Sequence, residues 1–430
     1  MVYDLNTSKC KGMLLVVAVL FLVCSSAYGQ TNVVSQLQIS GTKRTKISFI
    51  EKLVTLKKGM ELDSVVMDQD ILRLKKLPSI SHAYYKVNLL PSDQCIVQYV
   101  VEENFTLIPF ANLFSSSNDN FAFRVGLQEF NSFGQNITLG AFYQYDNYSS
   151  FGVSVRAPYL VTSKLGLALN YNNFTTLEPV FFENDTADYR YSNTGFELLA
   201  LYEFNLFNRM EFGFSFFTED YAYVDGATSA DVPLNLNVDK HLFKFIYDYN
   251  GLDYYYHYLD GFRSQLNFQY VGSTDDNLPE FLIGFNDFTF FKRIGDRGNW
   301  ANRLRLGLAS NVDSPFAPFT VDNNLNIRGV GNTIDRGTAM IVLNTEYRQT
   351  IIEKNKFVLQ GNFFIDGGTW RNPAGGFDDL WKSENLRIYP GVGLRFMHKR
   401  IFNAIFRIDY GYGITKDGDN GIVFGIGQYF

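Results

Sequence analysis

The sequence has 430 residues, a net charge of −6, 41 Phe and 27 Tyr. A mildly acidic chain with no Lys/Arg cluster offers no electrostatic case for a nucleic-acid partner. Its 3 Cys and 4 His are scattered, with Cys10 and Cys24 near the start and Cys95 alone beyond them, so neither a metal site nor an internal disulfide is expected.

Lys9 and Lys11 precede the apolar run 13–24, which leads to Ala27-Tyr28-Gly29. The run falls well short of the roughly 20 apolar residues that a helix needs to cross a bilayer. A small-residue cleavage site after it predicts an export signal over residues 1–29 and a mature chain from Gln30. Phe21-Leu22-Val23 before Cys24 lack the small residues of a lipid-anchoring site.

Residues 30–104 read as a small α+β unit. A strand at 33–40 precedes a helix with Ile47, Ile50 and Val54 on one face, broken at Lys58-Gly59. Asp63 is placed to cap a second helix bearing Met67, Ile71 and Leu74, which Pro78 stops. Two strands follow, 81–90 and 94–101, joined by the turn Pro91-Ser92-Asp93. The order β-α-α-β-β resembles the polypeptide-transport-associated (POTRA) domain.

From 105 to 430 the pattern changes to runs with period two, separated by turn signals. Phe406, Ile408, Tyr410, Tyr412 and Ile414 alternate with Arg407, Asp409, Gly411 and Gly413. Arg303 and Arg305 alternate with Leu304, Leu306 and Leu308, and Arg387 and Arg395 with Ile388, Val392 and Leu394. An apolar outside and a charged inside predict an all-β transmembrane barrel with a wet lumen. A soluble sandwich also alternates, but this many long strands carry more apolar surface than one small core accepts. Strand starts fall near residues 105, 121, 135, 149, 163, 188, 208, 241, 256, 278, 298, 338, 355, 386, 403 and 420, which makes sixteen antiparallel strands. The longest connections, near 225–240, 313–337 and 372–385, fall on the extracellular side when the chain enters from the periplasm.

Three barrel segments carry a family signal: Asn326-Ile327-Arg328-Gly329-Val330 in the connection after the eleventh strand, Phe363-Phe364-Ile365-Asp366-Gly367-Gly368-Thr369-Trp370 on the thirteenth, and the ending Phe424-Gly425-Ile426-Gly427-Gln428-Tyr429-Phe430. Together they resemble the bacterial surface antigen superfamily of outer-membrane insertases and transporters, which includes the BamA and TamA assembly proteins and the two-partner secretion transporters. A POTRA-like domain before a sixteen-strand barrel is that family's architecture. In such proteins the sixth extracellular loop folds into the barrel, so the resemblance implies that Arg328 pairs with Asp366 and shares Glu346. Parity independently turns Asp366 and Glu346 inward, and Gly329 lets the loop backbone approach the wall. Phe364, Gly368 and Trp370 complete the wall motif. Val330 departs from the family, which usually has an aromatic residue there.

The barrel ends suggest a mechanism. Pro109 cannot donate a ladder hydrogen bond, whether it sits in the first strand or in the linker before it, and Gly425 and Gly427 weaken the last strand. A seam between them short of bonds can open sideways and template an incoming strand. Phe430 resembles the aromatic C-terminal signal by which barrels are recognised for assembly. The favoured function is therefore an assembly, insertion or translocation factor of the outer membrane, of BamA/TamA type. A dedicated two-partner transporter and a passive structural or channel barrel are the alternatives. Unfolded outer-membrane or secreted clients and membrane lipids are the expected partners, with accessory lipoproteins as further candidates. A single POTRA-like domain argues against the central insertase, whose familiar members carry several. No nucleophile with a paired base and no phosphate-cradling loop is present, so neither an enzyme nor a cofactor is expected.

Overall fold

A computed structural model describes residues 32–430 apart from 116–120, 183–184, 231, 276–277, 315–316, 322–325, 331–334, 402–404, 416–417 and 419. The export signal expected over residues 1–29 lies outside the described residues.

The N-terminal segment runs β1 (Val33–Ser40), α1 (Ile47–Leu53), α2 (Ser64–Lys75), β2 (Ile80–Leu90) and β3 (Gln94–Glu103). Its sheet has the order β1-β3-β2, with β1 parallel and β2 antiparallel to β3. Asp63 accepts from the backbone N of Val65 at 2.7 Å, satisfying a donor that the first turn of α2 leaves open. Met67, Ile71 and Leu74 then fall on one buried stripe. In α1 the buried face is Phe49, Ile50 and Leu53, while Ile47 is exposed. Ile50 and Val54 of the expected face are buried and Ile47 is not, its place being taken by Phe49; the helix ends at Leu53, short of Lys58-Gly59. The β2–β3 turn holds Ser92 and Asp93 at φ 66° and 56°, a left-handed geometry that polar side chains of this length tolerate. Buried Asp70 is satisfied by the amides of Thr55 (2.6 Å) and Leu56 (2.9 Å) and the hydroxyl of Tyr99 (3.0 Å).

Beyond it sixteen antiparallel strands form a closed barrel, numbered here by ordinals, with one three-residue strand (Asp253–Tyr255) in the turn between the eighth and ninth. Starts read from turn signals at 121, 208, 298, 386 and 420 coincide with those of the second, seventh, eleventh, fourteenth and sixteenth strands. The eighth (Asn235–Asn250) begins six residues before its expected start at 241, because Asn235, Leu236 and Asn237 pair with the end of the seventh (Asn208–Gly226). The long connection expected at 225–240 is correspondingly shorter.

Large side chains alternate outward along the wall: Phe212, Phe214 and Phe216, or Phe406, Ile408 and Tyr410, all exposed. Arg303, Arg348, Arg395 and Asp409 point inward and are buried. A soluble fold hides its aromatic faces; this one presents them to a surrounding apolar phase. No described helix is long and apolar enough to cross a membrane.

The N-terminal segment sits against the barrel rim at which the first strand starts. Lys76 Nζ donates to the carbonyls of Leu206 (3.0 Å) and Asn250 (2.7 Å), and Arg73 pairs with Glu203 at 3.0 Å. Lys52 Nζ donates to the Tyr159 carbonyl at 2.7 Å, Asn131 Nδ2 to Thr45 Oγ1 at 3.0 Å, and Arg400 pairs with Glu102 at 2.9 Å. These anchors come from the ends of the second, fourth, sixth, eighth and fourteenth strands and the turns after them, so the segment extends across this mouth.

Candidate functional site in the lumen

On the thirteenth strand (Phe357–Arg371) Phe363 and Ile365 are exposed on the outer wall, while Phe364, Asp366, Gly368 and Trp370 are buried facing the lumen. The twelfth strand (Ala339–Lys354) pairs with it, Asn344 opposite Asp366 and Glu346 opposite Phe364. It adds Asn344, Glu346 and Arg348 to the lumen, the fourteenth (Leu386–His398) adds Arg395, and the fifteenth (Ile405–Tyr412) adds Arg407 and Asp409.

Arg328 reaches this cluster from the connection between the eleventh and twelfth strands. Its Nε and Nη2 lie 2.8 and 2.9 Å from the two oxygens of Asp366, a bidentate fork, and its own backbone N donates to Asp366 Oδ2 at 3.0 Å. Nη1 donates to Glu346 Oε2 at 2.5 Å. Arg395 binds the same Glu346 oxygen at 3.0 Å and Asp409 at 3.0 Å, Arg348 also pairs with Glu346, and Arg407 lies 3.3 Å from Asp409. The Arg328 guanidinium is sandwiched between the rings of Phe364, 3.7 Å to the centroid, and Tyr429, 4.7 Å. Arg328, Asp366 and Asp409 are all 0 % exposed. Buried charges persist only where partners replace water, and here each carboxylate meets at least one guanidinium.

Gly329 adopts φ 92°, and a Cβ there would lie 2.6 Å from the Cα of Gly411 on the fifteenth strand. Two facing glycines therefore let the loop backbone touch the wall backbone. Gly368 leaves room for Ile327, whose Cδ1 would stand 2.9 Å from a Cβ at that position. Val330, where an aromatic was the family's habit, is buried in a cluster with Val321, Ile327, Trp370 and Tyr389. Further along, a two-stranded ribbon (Phe319–Val321, Asp335–Gly337) ties the loop together. Asp335 pairs with Arg387 at 3.1 Å; burial pushes its carboxyl up to about 6, with Arg387 opposing. Arg336 pairs with Glu178 on the fifth strand (Leu165–Phe182), so the loop bridges opposite walls.

The seam residues border this cluster, Gly425 beside Arg407 and Phe430 beside Arg348. Pro109 stands within the first strand (Leu107–Ser115), opposite Leu127 of the second (Phe121–Ser132), not in a linker. Phe130 N donates to Thr106 O at 3.0 Å, which makes 106 and 130 a hydrogen-bonded pair. Three residues on, antiparallel alternation turns the Pro109 nitrogen away from the second strand, toward the seam. The last strand is Asn420–Ile426, shorter than the ending 424–430 suggested. Gly425 lies opposite Arg407 in that ladder, and a Cβ on it would meet the guanidinium at 2.6 Å; it makes room and leaves no gap in pairing. Gly427 lies one residue past the strand at φ 93°. The sixteenth strand closes the ring beside the first. On its other side it pairs 420–426 with 406–412 of the fifteenth strand.

Parity in the sequence placed Arg395, Arg407 and Asp409 inward, but nothing local indicated that they join Arg328. Tyr429 was missed altogether; the only hint is the glycine two residues before it.

A family model described as the Omp85 superfamily domain matches residues 131–430. Among solved structures, BamA from Haemophilus ducreyi lacking POTRA domains 1–3 superposes with a TM-score of 0.52 at 14% identity, covering 92% of this chain and 84% of that one. CdiB from Acinetobacter baumannii gives 0.58 at 12% identity, over 93% and 74% of the two chains. CdiB from Escherichia coli gives 0.61 at 11%, over 92% and 76%. At these identities the likeness is one of fold.

Proposed function

The chain belongs to the Omp85 superfamily, outer-membrane insertases and transporters and not enzymes, and from that premise we propose that it is an accessory factor that assembles, inserts or translocates other proteins at the outer membrane through its first/last strand seam. The observation that carries this reading is the seam itself. Pro109 withholds a donor on the seam side, and among the described residues the strands there are the shortest of the wall: 9 residues in the first, 8 in the fifteenth and 7 in the sixteenth. At about 3.3 Å per residue, seven residues rise about 23 Å before tilt, less than the apolar band of about 25 Å that such barrels present. The sixth (Asp185–Glu203) and seventh strands have 19 residues each. A membrane thinned on one side, beside short strands and a proline that withholds a donor, favours sideways entry of a client strand.

In the same reading, residues 30–104 are a POTRA-like periplasmic domain. Its strand β2 lies at a sheet edge, where a client can add by backbone pairing. Arg328 and its carboxylates brace the loop inside the lumen and do not touch clients. Loop, cluster and C-terminal residues occupy the lumen in this state, which supports the wall, not the pore, as the exit.

The test is to deplete the protein and quantify the outer-membrane proteome. Loss of several unrelated barrels is the expected result. Loss of one secreted or surface protein alone would assign a dedicated transporter instead, and an unchanged proteome would assign a passive barrel.

A further inference from the structure

The last strand does not continue to the C-terminus. Gly427, at φ 93°, donates its N–H to the Ile405 carbonyl at 2.8 Å and turns the chain off the wall. The three residues after it enter the lumen. Gln428 Oε1 accepts from Arg395 Nε at 3.1 Å. The Tyr429 ring lies under two guanidinium groups, Arg328 at 4.7 Å and Arg407 at 4.8 Å, and is 6 % exposed. Phe430 packs against Leu252, Phe291 and Ala301, with Arg303 at 5.3 Å from its ring. A tail held only by its own strand would need none of these. Cations over aromatic faces in a site closed to water attract more strongly than at a surface.

We propose that Gln428-Tyr429-Phe430 is a latch and the lumenal arginine cluster its docking site, tying the seam's last strand to the loop that carries Arg328. This rests on the seam reading above and adds its regulation. When the sixteenth strand swings out, Tyr429 leaves Arg328 and Arg407, and Gln428 leaves Arg395. The seam therefore opens only as the tail undocks, and undocking uncovers one face of Arg328. Strand opening and loop release become a single transition with two readouts about the lumen.

The chemistry sets the signs. Tyr429→Phe keeps a π face over both guanidinium groups, while Tyr429→Leu keeps apolar bulk without it. Gln428→Glu puts a carboxylate on Arg395, and Gln428→Lys puts a like charge there. The experiment is hydrogen–deuterium exchange by mass spectrometry on the purified full chain in lipid nanodiscs, without client. Tyr429→Leu and Gln428→Lys are expected to speed exchange about tenfold in both 420–426 and 326–330. Tyr429→Phe should match the native chain, and Gln428→Glu should slow both segments. Faster exchange confined to 427–430, or an equal effect of Tyr429→Phe and Tyr429→Leu, would overturn the latch. Because no client takes part, a latch found here alongside an unchanged outer-membrane proteome on depletion would leave the latch standing and remove the insertion reading.

Discussion

Arg328 is held by geometry that only a guanidinium provides: a fork on Asp366, a third nitrogen on Glu346 and a flat cation between two rings. Lysine would keep the charge but lose the fork and the stacking plane. Removing one member of a fully buried pair strands the other, at a cost of about 3–5 kcal/mol. Arg328→Ala and Asp366→Ala are therefore expected to leave export intact while lowering the folded barrel's resistance to denaturant by that order. The measurements are the heat-induced gel shift and protease cleavage of the loop; both unchanged in both variants would remove the pair from the account. Sequence parity was enough to turn Asp366 and Glu346 inward, since alternate residues of a strand face opposite ways. It could not supply Gly411 or Tyr429, which meet Gly329 and Arg328 from 82 and 101 positions along the chain.

At the scale of elements, the junction between the N-terminal segment and the rim concentrates histidine. His82 stacks on Tyr256 with ring centroids 5.2 Å apart, and His257, beside it in the same turn, lies 3.5 Å from Thr350 Oγ1. Burial holds the His257 imidazole down to about 4, with Lys399 and Arg293 adding to the effect and Glu353 opposing it. An unfolded histidine titrates near 6.5, so between about 4 and 6.5 the unfolded chain binds more protons. Stability is thus complete above about 6.5 and falls as the pH drops toward 4, by up to about 3 kcal/mol. Urea midpoints in detergent micelles at pH 7 and pH 5 should show this loss, and His257→Gln should flatten it; equal slopes in the two proteins would count against His257. Turn chemistry and caps in this segment were legible locally, as with Asp63. The face of α1 was not, because Phe49 and Ile47 are equally apolar and only the packing against β3 and the rim chooses between them.

Across the whole molecule the wall is uneven, tall where the fifth to seventh strands run 18 or 19 residues and low at the seam. Backbone amides of 190–200 and 210–220, paired on both sides, are expected to exchange at least about tenfold more slowly than those of 107–115 and 420–426, since local opening is easiest where fewest bonds must break. Uniform protection around the ring would show that the seam is no weaker than the rest. By itself the sequence determined the class of fold, the number of barrel strands and the direction of the barrel faces it named, because alternation and turn residues act over a few positions. Its Arg-Gly and Phe-x-Asp-x-Gly segments also marked where the lumen would be occupied. Only the tertiary structure decided that seven charged side chains form one network, that the Pro109 nitrogen faces the seam and that the C-terminal tail turns into the barrel. Those facts depend on register and closure, which bring distant segments together and leave no periodic trace in the sequence.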